Sequence, residues 1–375
     1  MKQKTGKYYW RGIGIYLGII ILLNIVSAFP TFADFYTDHI FGFWSETYGR
    51  LTGLVPFSVG EWLIVLAIVL TLVALIFALL FFPMRRKEKY RKVAGRYFKF
   101  FLAFLLTVAM IMTLNCSFLY RCSKLSLHKD KNKQYGVEEL ESLRNQLVEQ
   151  CNLLSQKVPR DKNGNVTASK TIDTEVKKAM KQLTTDYPRF KGYYPTPKKM
   201  LASYIMYQAG MSGVYFPFSM EANINYYIAD VFYPFTACHE LAHLKGYIYE
   251  NEANFFAYLA CVGSENELLQ YSGYLQVLDY VNDDYYDLVG DERYQKQIKI
   301  AEQVKQDDHY YLEDTLKQLE ETDSLFSDQV VETVGDTITE GYLDYYGAKA
   351  NYSEVTQLLL EYYEGKTLDK SDREK

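Results

Sequence analysis

The sequence predicts a mainly α chain with a small β element (α+β): three membrane-spanning helices, then one large helix-rich domain. Three observations carry that prediction. The first 120 residues hold three long apolar stretches. The rest breaks into amphipathic pieces with apolar side chains at helical spacing. Only around residues 214–228 does the chain read as short strands.

Residues 1–11 carry Lys2, Lys4, Lys7 and Arg11, and the apolar residues 13–29 that follow suit a short span. Val26-Ser27-Ala28 would pass as a leader cleavage site, but the apolar run is long for a cleaved leader and Asn24 interrupts it late. Residues 30–61 read as a loop with Asp34, Asp38, Glu46 and a single basic residue, Arg50. Residues 62–82 are the second span, closed by Pro83. Arg85, Arg86, Lys87, Lys89, Arg91, Lys92, Arg96 and Lys99 follow it, and residues 100–119 are the third span. Basic residues collect on the cytoplasmic side of spans. The expected protein is therefore a multi-pass cell-membrane protein in the lipid bilayer. Its N-terminus and loop 84–99 are cytoplasmic, and everything after Tyr120 is extracytoplasmic.

This divides the chain into a membrane region, 1–120, and a domain, 121–375. The mean hydropathy of -0.19 averages over two unlike parts. The domain carries 28 basic and 41 acidic side chains with no basic cluster, which argues against a nucleic-acid partner. An acidic surface suits a soluble extracytoplasmic domain and by itself names no substrate.

Within the domain, residues 121–133 read as a linker. Residues 137–157 read as an amphipathic helix with Leu140, Leu143, Leu147, Leu153 and Leu154 on its core stripe. Residues 161–165 are a turn and 174–183 another helix. Pro195 and Pro197 make an extended piece, and Pro197 suits the first turn of a helix running to Gln208. Gly210 and Gly213 break it. Residues 214–218 and 223–228 read as strands, and Pro217 suits a sheet edge. One of them is either an edge onto which an extended peptide could add, or a hairpin that buttresses the next helix. Pro234 opens that helix. After Cys261 the chain is helical in pieces such as 268–280, 292–304 and 352–363.

The chemistry concentrates in His239-Glu240-Leu241-Ala242-His243. Four residues are about one helical turn, so the two imidazoles share a face and can hold one ion. Glu240 lies beside them, placed to take a proton from an activated water. The opposing reading is chance, or two unrelated helical histidines. The following residues weigh against it, because a zinc site of this kind needs a third ligand and Gly246 can stop the helix so that the chain returns. Residues 247–261 read as a second helix, with Ala253, Ala257 and Ala260 allowing close packing. Glu250 is one candidate third ligand, with Asn254 one turn on to orient a histidine. Glu252 is the rival, about 200° round the helix, so both cannot face one ion. Either could instead be an ordinary glutamate of a helix first turn.

H-E-x-x-H followed by E-x-x-x-N resembles the gluzincin metallopeptidases, whose third ligand matches Glu250. The longer pattern is His239 to Gly246, then Glu250, Glu252 and Phe255, with the upstream run from Gly213 to Asn223. It resembles the bacterial membrane family catalogued as domain-of-unknown-function family 3810. The resemblance covers most of the chain, with its specific part at residues 195–261. It implies a zincin-like, helix-rich domain holding one Zn2+ per chain on His239, His243 and Glu250, and cleaving a peptide or protein substrate with Glu240 as general base. The spacer from His243 to Glu250 is shorter than in the familiar gluzincins.

A second reading comes from another class: a membrane-anchored zinc-binding sensory or structural protein. Retention of Glu240 speaks against it, because a structural site needs no base. Any of the many tyrosines could donate to a developing oxyanion. Five cysteines are few for a disulfide framework; Cys238 and Cys261 fall on the two helices expected to pack, as a disulfide or as small buried thiols.

Overall fold

The computed structural model describes residues 2–127, 135–322 and 352–364, with Val331, Thr333 and Thr337 besides. It is mainly helical with one small sheet, and it divides into two units.

The first unit is residues 1–123 with 216–221. Its helices are α1 (Lys2–Ser27), α2 (Pro30–Tyr36), α3 (Gly42–Thr52), α4 (Val59–Leu79), the single turn α5 (Phe81–Met84) and α6 (Glu88–Met112). Three of these are long and apolar enough to cross a membrane, over Gly6–Ser27, Val59–Leu79 and Glu88–Ser117. Their apolar side chains stand largely exposed, as a lipid environment requires. Two expectations need correcting. The stretch read as a loop at 30–61 is mostly helical, because Pro30 starts a helix and nothing stops the chain before Gly53. The helix that carries the third span begins at Glu88, so most of the basic loop is the first turns of α6. Asn24 binds the hydroxyl of Thr113 at 2.8 Å, which ties α1 to the end of the third span.

Within this unit the 216–221 turn is tightly held. Thr52 donates to the Ser219 carbonyl at 2.8 Å and Asn115 to the Pro217 carbonyl at 2.7 Å. The Glu221 carboxylate accepts the Val59 and Gly60 N–H groups, while Ser58 caps Glu61. Gly60 must lack a side chain, since a Cβ there would meet the Phe216 ring at 2.6 Å.

The second unit is residues 124–215 with 222–375. Its helices are α7 (Val137–Leu154), α8 (Ile172–Gln182), α9 (Ser203–Gln208), α10 (Tyr233–His243), α11 (Glu250–Gly263), α12 (Glu267–Tyr294), α13 (Glu302–Asp307) and α14 (Glu313–Glu320), with a further helix at Tyr352–Tyr363. The strands are β1 (Lys198–Lys199), β2 (Gly213–Phe216) and β3 (Glu221–Ile224), in the order β1-β3-β2. Pro197 therefore precedes a strand, not a helix: Lys198 and Lys199 pair in parallel with Asn223 and Ile224. The break expected between 280 and 292 falls at Gly290, whose φ of 66° interrupts α12. The helix read at 292–304 is not continuous: α12 ends at Tyr294 and α13 starts only at Glu302.

α11 is the centre of the core. Every residue from Glu252 to Val262 is buried, and it packs against α8, α10, α12 and the helix Tyr352–Tyr363. Its small residues Ala253, Ala257 and Ala260 are fully buried among these neighbours, which lets them pack closely.

Candidate metal centre

α10 begins with Pro234 in its first turn, where the missing N–H costs nothing. It ends because Gly246 takes a left-handed conformation, φ 89°. The closing turn is fixed by Gly246 N–H to the His243 carbonyl at 3.0 Å and Tyr247 N–H to the Ala242 carbonyl at 3.3 Å. The buried Lys245 pins it further, donating to the carbonyls of Lys191 and Tyr193 at 3.0 and 2.9 Å. Residues 244–249 then return the chain, and α11 starts at Glu250 rather than at 247.

The result is a three-donor cluster of His239, His243 and Glu250 that could hold a metal ion. The two Nε2 atoms are 3.0 Å apart, and Glu250 oxygens lie 3.0 Å from the first and 3.7 Å from the second. Each ring is set by its other nitrogen: His239 Nδ1 lies 2.7 Å from Asn254 Oδ1 and His243 Nδ1 2.7 Å from the Tyr247 carbonyl. Both partners are acceptors, so both Nδ1 atoms donate and the two Nε2 lone pairs face one another. Two lone pairs and a carboxylate pointed at one spot repel unless a proton or cation sits among them. Two nitrogens bound to one ion at about 2.0–2.1 Å would be about 3.3 Å apart, close to the separation found.

The titration follows from this crowding. Burial works against a charge on His239, but the Glu250 hydrogen bond and charge overcome it and lift that imidazolium to about 9. Burial lowers His243 to about 4. Desolvation at the cluster would raise the half-exposed Glu250, yet the two histidines hold it down to about 2. Without a cation, one proton shared by His239 and Glu250 is what relieves the repulsion.

Glu240 is buried at 4% exposure. Burial pushes its carboxyl up to about 8; the His239 charge and a Tyr215 N–H bond work the other way. Its Oε2 has no hydrogen-bond partner. Strand β2 lies directly on it, and a Cβ at Gly213 would come within 2.5 Å of Glu240 Oε1. Glu252 is turned away from the cluster. Its Oε1 accepts the Leu125 N–H at 2.6 Å, and burial raises it to about 7. Cys238 is buried against Cys261 and takes no part in the cluster. Among the tyrosines, Tyr215 sets its ring 6.1 Å from that of His243.

The structure thus brings together His239, His243, Glu250 and Asn254, and separates Glu252 from them. Three contributors escaped the sequence reading: the Tyr247 carbonyl, the Tyr215 N–H and Gly213. The first two are main-chain groups. Gly213 carried a usable signal, since glycine beside a strand marks a close approach.

The chain belongs to the family described as "Protein of unknown function (DUF3810)", which it matches over residues 36–360. Searches of curated proteins and of solved structures find no match.

Proposed function

We propose that this protein is a membrane-anchored zinc-dependent peptidase whose domain, residues 121–375, faces the extracytoplasmic side. The observation that carries the reading is the pair of Nε2 atoms 3.0 Å apart, each ring fixed through Nδ1, with the Glu250 carboxylate closing the set. Two neutral imidazoles and one carboxylate are a donor set suited to catalytic zinc, and three protein ligands leave a position for water. Zinc held there would supply Lewis acidity to that water and to a substrate carbonyl. Glu240 is the base: its unpartnered Oε2 takes a proton from the attacking water and hands it to the departing amine. The Tyr215 N–H steadies the carboxylate while it does so. The Glu250 side chain is 41% exposed, which leaves the cluster open for a peptide to approach. The basic residues at the N-terminus and at 85–99 support the orientation.

The test is zinc content and cleavage of a mixed peptide library by the detergent-solubilised full chain, wild type against Glu240→Gln. One zinc per chain in both with cleavage by the wild type alone is the expected result. Zinc in both with cleavage in neither would favour a zinc-binding sensory or structural protein. Zinc in neither overturns the reading.

A further inference from the structure

Two thiols face one another across the helix pair that carries the candidate ligands. Cys238 lies on α10, one residue before His239, and Cys261 lies on α11. Both are 0% exposed and their sulfurs are 3.9 Å apart. Neither belongs to the metal cluster. The other cysteines sit elsewhere: Cys116 by Met112, Cys122 by Thr37 and Cys151 on the buried face of α7. On its far side Cys261 is hemmed in by α12, where even a Cβ on Gly273 would come 2.6 Å from the Cys261 Cβ. The Cys261 side chain therefore has no room toward α12, and its sulfur is held toward α10.

We propose that Cys238 and Cys261 are an oxidisable dithiol whose disulfide staples α10 to α11. The sulfurs must approach from 3.9 Å to about 2.0 Å, which rotation of the side chains together with a small adjustment of the helix pair would supply. The oxidant is a disulfide of the exchange class. One cysteine thiolate attacks it, forms a mixed disulfide and expels one oxidant thiol. The second cysteine, its proton lost, attacks the mixed disulfide and expels the other thiol. Two protons and two electrons pass from the pair to the oxidant, whose disulfide becomes two thiols. Burial sets when this happens: the oxidant must meet the pair during a local opening, or before α11 docks. The consequence falls on the site beside it. α10 supplies His239 and His243, and α11 supplies Glu250 and Asn254. The staple would hold the two halves of the donor set together whether or not an ion is bound.

The test uses the solubilised full chain, incubated with oxidised glutathione a few degrees below its melting temperature so that openings are sampled. The sample is acid-trapped, unfolded, alkylated and mapped by peptide mass spectrometry. Cys238 and Cys261 should escape alkylation unless reduced first, while Cys116, Cys122 and Cys151 are alkylated directly. The oxidised chain should melt about 5–10 °C above the reduced one, as closing the 238–261 loop implies. The Cys238→Ser/Cys261→Ser variant should lose that redox sensitivity. Alkylation of both cysteines without reduction overturns the proposal, as does a variant whose melting temperature oxidised glutathione still raises.

Discussion

Two buried carboxylates, one in each unit, are treated in opposite ways. Glu221, in the membrane unit, is 1% exposed and accepts the N–H groups of Val59 and Gly60 at 3.2 and 2.9 Å. It stands at the start of α4, where unpaired N–H groups and the helix dipole favour an anion. Glu240, in the helix pair, is nearly as buried, yet it accepts one N–H and leaves Oε2 with no partner. A carboxylate that caps a helix has both oxygens met. Glu240, the residue proposed for proton transfer, has one oxygen free, and burial lifts it to about 8.

Glu240→Gln sharpens that comparison most. Turnover should fall about a hundred- to ten-thousandfold, the usual loss of a general base. Stability and metal content should hold, because no partner of Oε2 is lost and an amide is easier to bury than a charge. A marked fall in melting temperature would show that Glu240 supports the fold as Glu221 does. Glu221→Ala should behave in the opposite way. Losing both N–H acceptors at a buried helix start should cost about 2–3 kcal/mol in thermal or denaturant unfolding, with metal stoichiometry unchanged.

The two glutamates of the α11 first turn make the same contrast at close range. Glu250→Gln should release the metal, a larger loss than the about 10–100-fold weakening expected from Asn254→Ala. Glu252→Gln should leave affinity intact, since its carboxylate serves Leu125 instead. Zinc titration against a competing chelator reads all three. Equal losses from Glu250 and Glu252 would break the assignment. Because His239 stays protonated up to about 9 without a cation, zinc binding at pH 7 should release about one proton. Affinity should then weaken about tenfold per pH unit as pH falls from 8 to 6. Calorimetry in buffers of different ionisation enthalpy measures the proton count.

How much of this was legible depends on which groups carry the structure. His239 with His243, and Glu250 with Asn254, each follow the 3.6-residue period, so spacing put each pair on one helix face. Between Glu250 and Glu252 it left the choice open, and the structure turns Glu252 to the Leu125 N–H. Gly246 announced the turn between the two helices. The Tyr247 carbonyl and the Tyr215 N–H are backbone groups that every residue owns, so no side chain advertised them. Pro197 misled because its next residues find their partner across the sheet, at Asn223 and Ile224, and pairing at that distance leaves no local trace. The stretch at 30–61 misled because its helical run from Pro30 to Thr52 is rich in aromatic and polar residues whose composition resembles a loop.

The smallest expected effect tests whether raised carboxyls matter away from the site. Partial desolvation by neighbouring groups raises Asp308 to about 6, with Asp279 adding to the rise and His309 opposing it. Its folded value lies above the ordinary 3.8, so the native chain holds this proton more tightly than the unfolded one. The associated stability is fully present below about pH 4 and is lost as pH rises through 6. Asp308→Asn removes the charge that appears over that window. The side chain lies at an exposed residue, so solvent screens it and the gain should be at most about 0.5 kcal/mol. Melting temperatures of variant and wild type should coincide at pH 4.5 and separate in the variant's favour by about 1–2 °C at pH 8. A variant that melts lower at pH 8 would mean that the Asp308 anion is held by a partner. It would then belong with Glu221 rather than with Glu240.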